Sequence, residues 1–173
     1  MKKKIKEIFK YVIMFSLIIS VKCIVVDVAN VQGISMKPTL NNNSPSDRVI
    51  MLRTSKITKD YKRGEIVVFK PYESSKELYI KRIIALPLDK VEISNGKVYV
   101  NNNLLNENYL SEFTVTEPQM KLVVPKGELF VLGDNRENSK DSRSIGTISK
   151  NKIIGEAVFR FNLFKLSLNK LEN

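Results

Sequence analysis

The chain of 173 residues contains no histidine. Any Ser-His-Asp mechanism is therefore excluded. A serine acting here as a nucleophile must pass its proton to another kind of base, and lysine is the side chain whose pKa shifts most readily on burial. Cysteine is nearly absent: Cys23 stands alone inside an apolar run, so no intrachain disulfide is possible and the redox compartment cannot be read from it. Acidic residues are also scarce, 18 against 29 lysines and arginines, which leaves a net charge of +11. That excess is not gathered on one helical face or arm. Its densest cluster is Lys2, Lys3, Lys4, Lys6 and Lys10, with Glu7 as the one acid among them. Placed just before an apolar run, such a cluster is the pattern of a cytoplasmic membrane flank. The rest of the charge reads as solvation or attraction to anionic lipid, and nucleic acid is not an expected partner. There is no internal repeat.

Between Lys10 and Lys22 lie eleven uncharged residues, Tyr11 to Val21, a length that also fits the apolar core of a cleavable secretory signal. Extended to Ile8–Val26, the run gives about 28 Å of helix, close to the hydrocarbon thickness. Lys22 lies four residues from the outer end, where its ammonium can snorkel to the headgroups. Cleavage after Ala29 would put Asp27 where a small residue is wanted, which favours a retained anchor. The organisation expected is a cytoplasmic basic N-terminus over residues 1–7, a transmembrane anchor over 8–28 and an extracytoplasmic domain over 29–173.

From Val31 onward no long stretch has helical periodicity, while short β-branched runs recur between turn signals. The fold class expected is mostly β with one N-terminal transmembrane helix. Candidate strands are Arg48–Arg53, Glu65–Phe69, Leu78–Ala85, Lys90–Ser94, Lys97–Asn101, Lys121–Val124, Glu128–Leu132 and Ile153–Phe161. Asn95-Gly96 between two alternating runs is a hairpin signal, because both residues tolerate the positive φ of a type I′ turn. It marks a small β-hairpin subdomain around residues 90–125. The segments 41–46, 71–76 and 101–108 read as loops.

Three polar elements stand out. Ser35 lies in a tight bend between Gly33 and Pro38, a setting in which most serines are structural. Lys81 lies in Leu78-Tyr79-Ile80-Lys81-Arg82-Ile83-Ile84; on a strand, Tyr79, Lys81 and Ile83 share one face and Ile80, Arg82 and Ile84 the other. An ammonium between Tyr79 and Ile83 would be poorly solvated, and its pKa would fall. Taken alone, an edge-strand lysine in solvent is the commoner case. The third element is the polar run Gly133–Arg143 after the apolar strand Leu129–Leu132, in which Asp141 and Arg143 are spaced to pair and Ser139 could fix Lys81.

Together these elements resemble the type I signal peptidases in order, spacing and wording, in the single-anchor branch of that family. The serine box is similar to Gly33-Ile34-Ser35-Met36-Lys37-Pro38-Thr39-Leu40, and the strand after it to Arg63-Gly64-Glu65-Ile66-Val67-Val68-Phe69. The lysine box resembles Tyr79–Asp89 and the last box Gly133–Arg143. The resemblance implies a mostly β, signal-peptidase-like catalytic domain with a nucleophile at Ser35, a general base at Lys81, an orienting hydroxyl at Ser139 and a structural ion pair between Asp141 and Arg143. It also implies that Val31, Met36, Leu40, Tyr79 and Ile80 line the pocket for the residue before the cut, with Val49 and Val68 near the pocket two residues earlier.

The implied activity is cleavage of signal peptides from secreted preproteins after small residues of the Ala-x-Ala type, through an acyl-enzyme and without metal or cofactor. Preprotein signal peptides and the lipid bilayer are the implied partners, with a monomer favoured. The chain departs from the family pattern at two points. Gly33 stands where one branch carries a serine hydroxyl, which leaves the second oxyanion donor unassigned; Leu88 stands where many members have glycine, and leucine disfavours positive φ there. Two other readings are a self-cleaving Ser/Lys protease of the repressor type and a non-catalytic membrane-tethered binding module. The first would carry a DNA-binding domain where this chain has an apolar run, and the second would not need Ser35, Lys81 and Ser139.

Overall fold

The structure, a computed structural model, describes residues 2–42, 47–53, 61–162 and 167–171. Of the expected loop over 41–46, residues 43–46 lie outside the described residues, as do the side chains of Lys22 and Cys23. The chain opens with helix α1 (Lys2–Val25). Strands follow in the order β1 (Val26–Asn30), β2 (Asp47–Leu52), β3 (Ile66–Phe69), β4 (Tyr79–Ala85), β5 (Lys90–Ser94), β6 (Lys97–Val100), β7 (Asn103–Leu104), β8 (Met120–Val123), β9 (Glu128–Leu132), β10 (Ile148–Ser149), β11 (Ile153–Asn162) and β12 (Ser167–Lys170). A single helical turn, α2 (Ser142–Ile145), precedes β10.

The helix ends earlier than the sequence suggests. Val26, Asp27 and Val28, expected in the anchor, belong to β1, which runs antiparallel to β2 with Val26 opposite Leu52 and Val28 opposite Ile50. The reason is tertiary: alternating Val-Asp-Val suits a pleated strand once a partner is present, and Arg53 beyond β2 pairs with the Asp27 carboxylate. Among the described residues no helix is long and apolar enough to cross a membrane. On α1, Ile8, Phe9, Tyr11, Val12, Ile13, Met14 and Phe15 are all more than half exposed, so nothing among the described residues covers them.

The main sheet follows the order β1-β2-β11-β3-β4-β9-β10, with β12 added on β11. Every side chain of β3 is buried, because the strand has a core on each face. Ile66 and Val68 join Val31, Met36, Leu40, Val49 and Met51 on one side; Val67 and Phe69 join Ile83, Leu129 and Val131 on the other. Each such side chain contributes about 1.5–3 kcal/mol of burial, and the two cores fix β3 and β4 firmly. Lys81 lies opposite Val67 in the β3–β4 register.

A second sheet, in the order β7-β6-β5-β8, covers residues 90–123 and has its own core of Val91, Ile93, Val98, Val100, Phe130 and their neighbours. Asn95 and Gly96 carry φ of +50 and +75 between β5 and β6, the type I′ signature. Leu88 adopts positive φ, +71, although leucine disfavours it. The turn keeps its shape around it: the Asp89 amide donates to the Leu86 carbonyl at 3.1 Å and the Leu88 amide to the Val124 carbonyl at 2.8 Å. The Leu88 side chain, 68% exposed, meets no resistance from the core.

Candidate active site

The loop leaving β1 is plugged into the core at two points. Met36 and Leu40, four residues apart, are 2% and 1% exposed, and the Leu40 amide donates to the Met36 carbonyl at 2.8 Å. With these two turned inward, Ser35 is left at the outer side, only partly buried. Gly33 supplies a φ of +83 to start the bend, and the Lys37 amide closes it on the Ile34 carbonyl at 3.0 Å. The Ser35 carbonyl accepts the Asn135 amide at 3.0 Å, which ties the loop to the polar run after β9.

Lys81 is 4% exposed, and its ammonium nitrogen donates to Ser35 Oγ at 2.7 Å and to the Ile80 carbonyl at 3.0 Å. It sits 5.4 Å over the Tyr79 ring. Burial lowers its pKa from 10.5 to about 8, while the charges of Asp141 and Asp134 limit the fall. That shift corresponds to about 3 kcal/mol in favour of the neutral amine relative to an exposed lysine.

The loop from Gly133 to Arg143 braces this pair from behind. Asp141 accepts Arg143 through two bonds of 2.8 Å and the Gly133 amide at 3.0 Å. Burial alone would raise the Asp141 carboxyl, but these donors and the Arg143 charge bring it below the ordinary carboxylate range. Arg143 reaches on to the carbonyls of Glu117 and Arg136, both at 2.7 Å.

Ser139 differs from expectation. Its hydroxyl is buried and lies close enough to Asp141 to lower that carboxyl, yet it makes no hydrogen bond of full geometry, to Lys81 or to any other described group. The hydroxyl lies against the Cα of Gly133, and the two bonds of the Lys81 ammonium go to Ser35 and Ile80.

Sequence reasoning passed over Arg82, which alternates onto the opposite face of β4. It is 1% exposed, bonded to Asp134 through Nε at 3.0 Å and Nη2 at 2.9 Å and to the Gly64 carbonyl at 2.9 Å, with its guanidinium 3.9 Å over the Tyr109 ring. Thr39 donates its hydroxyl to the same Asp134. The serine loop, the lysine strand and the polar run thus meet at one buried ion pair, whose removal on one side would leave a charge without compensation. A second charge beside Lys81 in a strand of mostly apolar residues was the available signal, since a buried arginine requires a buried acid.

An open groove of about 780 Å³ runs past Ser35 and Lys81. Val31, Val49, Val68, Tyr79 and Ile80 line it, together with Ala29 and Met51. Met36 and Leu40 do not; they lie in the core beneath it. Among the described residues β1 is an edge of the sheet, and Asp27, Val28, Ala29 and Asn30 of this strand line the groove. Among the described residues no cluster of three or more His, Cys, Asp or Glu side chains could hold a metal ion.

Residues 4–162 match the family described as signal peptidase, peptidase S26. The chain is 41% identical over 150 residues to a probable signal peptidase I-2 of Synechocystis sp., covering 84% of this chain and 67% of that protein. It is 43% identical over 141 residues to signal peptidase I P of Bacillus subtilis subsp. natto, covering 75% and 74%. With signal peptidase IB of Staphylococcus aureus (strain COL) the identity is 35% over 179 residues, covering 93% and 91%.

Proposed function

The chain belongs to the signal peptidase family, peptidase S26, and from that premise we propose that this serine peptidase cleaves the signal peptides of preproteins with Ser35 as nucleophile and Lys81 as general base. The observation that carries this reading is the 2.7 Å approach of Lys81 to Ser35 Oγ within a buried setting that lowers the lysine to about 8. Neutral Lys81 accepts the Ser35 proton as the hydroxyl oxygen attacks the scissile carbonyl carbon. The Ser35 amide is the first donor to the oxygen of the tetrahedral intermediate. Collapse breaks the C–N bond, the proton on Lys81 passes to the leaving amine, and an ester to Ser35 remains. Water, losing a proton to Lys81, hydrolyses that ester and restores both side chains.

Asp141 and Arg143 hold the Gly133 backbone behind the pair. Ser139, whose buried hydroxyl makes no hydrogen bond of full geometry among the described residues, is the group we assign to orient the Lys81 amine once substrate is bound. The groove suits an extended segment paired along the free side of β1, with small residues against Val31, Val68 and Ile80. This favours sites of the Ala-x-Ala type.

We assign α1 to the bilayer, with the lysine-rich start in the cytoplasm and the region after β1 begins outside. Its uncovered apolar residues on all sides support this, because such a helix needs either a protein interior or lipid around it. Turnover of a preprotein peptide with an Ala-x-Ala site, lost in both Ser35→Ala and Lys81→Ala, is the expected result. Cleavage by either variant at near wild-type kcat/KM would refute the pairing.

A further inference from the structure

The exit of the Ser35 loop is closed by a side chain that takes no part in the chemistry. Asn41 has a φ of +56 and is 5% exposed. Its carboxamide nitrogen donates to the Val31 carbonyl at 3.1 Å and the Gly33 carbonyl at 3.0 Å, both on the entry side of the loop. Its carboxamide oxygen accepts the Asp47 amide at 3.1 Å, while its own amide donates to the Asp47 carboxylate at 2.7 Å. The second carboxylate oxygen of Asp47 accepts Asn162 Nδ2 at 2.7 Å, anchoring the group to β11. Asp47 and Asn162 are 6% and 4% exposed, so this is a buried network in which each lost bond is costly.

The network bears on the direction of the amides next to the nucleophile. In a planar trans peptide the carbonyl and the following N–H point to opposite sides. The Gly33 carbonyl is held inward on Asn41, so the Ile34 amide is turned outward. Gly33, Ile34 and Ser35 line the groove and Asn41 does not. The amides of Ile34 and Ser35 have no hydrogen-bond partner among the described residues.

We propose that Asn41 is a positioning residue for the reaction: by holding the Val31 and Gly33 carbonyls, it presents the backbone amides at Ile34 and Ser35 to the oxygen that becomes anionic in the groove. The proposal rests on Ser35 being the nucleophile. It supplies backbone orientation at the point where Gly33 offers no hydroxyl. Asn41 itself touches no reacting atom.

Asn41→Gly removes the carboxamide and keeps a residue at ease with positive φ. Steady-state cleavage of an Ala-x-Ala preprotein peptide by the full chain should show kcat about tenfold lower or more, with KM within about twofold, because the loss falls on the transition state. The pH at which activity reaches half its maximum should stay where Lys81 sets it. Folded fraction is read from urea unfolding in the same buffer and kcat is expressed per folded molecule. Should Asn41→Gly not fold, Asn41→Ser, a neutral side chain too short and with too few donors to hold both carbonyls, is measured the same way. Wild-type kcat in the folded variant, with Ser35→Ala inactive, would overturn the positioning role alone. An inactive wild type, or an active Ser35→Ala, would instead overturn the assignment of the nucleophile.

Discussion

Gly133 and Ser139 approach so closely that a Cβ on Gly133 would lie 2.2 Å from the Ser139 hydroxyl oxygen and 2.5 Å from the Ser35 carbonyl oxygen. The glycine is needed for this close passage of backbone, since its φ is not in the left-handed region. A methyl group there would push the serine loop away from the polar run. Gly133→Ala is expected to lower kcat/KM at least about 100-fold, as misplacements near 1 Å do, with a stability loss of about 1–3 kcal/mol. Peptide cleavage measured beside thermal unfolding checks this. Near wild-type cleavage would mean that the loop tolerates the displacement.

Met36 and Leu40 were expected at the substrate pocket and lie beneath it, so stability and recognition should separate. Leu40→Ala is expected to cost about 2–5 kcal/mol in urea unfolding. Its KM should stay near wild type in the folded fraction. Ile80→Ala, at the groove wall, should shift the cleavage preference toward larger residues before the cut by about tenfold, read from competing peptides.

Leu88 holds a φ of +71 at an exposed turn. Left-handed backbone costs a non-glycine residue about 1–2 kcal/mol, and glycine returns about 0.5–1 kcal/mol of that as unfolded-state entropy. Leu88→Gly should therefore stabilise the protein by about 0.5–1 kcal/mol, visible as a Tm rise of about 2 °C. A lower Tm would mean that the leucine side chain contributes packing.

What could be read in the sequence was whatever local chemistry decides. Asn95-Gly96 fixed a hairpin because two adjacent residues suffice for its turn, and Tyr79–Ala85 alternated into two faces as a buried strand must. Lys81 and Ser35, 46 residues apart, could be joined only through resemblance, since nothing local to either side chain names the other. β1 escaped notice because Val26–Asn30 becomes a strand only against β2, whose position the local pattern does not encode. Alternation alone puts Arg82 on the face of β4 opposite Lys81, but nothing local matches it to Asp134, 52 residues away. The Asn41 network was hidden in a loop that composition describes only as polar.

Burial of Lys81 also sets a stability signature. The folded state releases this proton near pH 8 and the unfolded state near 10.5. Between those values the unfolded chain binds more protons, so this group makes stability rise with pH across that window. At neutral pH the buried charge costs about 3 kcal/mol. Lys81→Met should be more stable than wild type by about that amount in urea at neutral pH, and the advantage should shrink as pH rises through the window. An advantage that does not change with pH would show that Lys81 is not held with a lowered pKa.

The most direct measurement is the pH dependence of kcat/KM for an Ala-x-Ala preprotein peptide, with wild type and Lys81→Met side by side. If Lys81 is the base, wild-type kcat/KM rises about tenfold per pH unit below an apparent pKa of about 8 and levels off above it, while Lys81→Met has no measurable turnover at any pH. A wild-type profile that is flat through this region, or a Lys81→Met protein that still cleaves, would contradict the Ser35–Lys81 pairing.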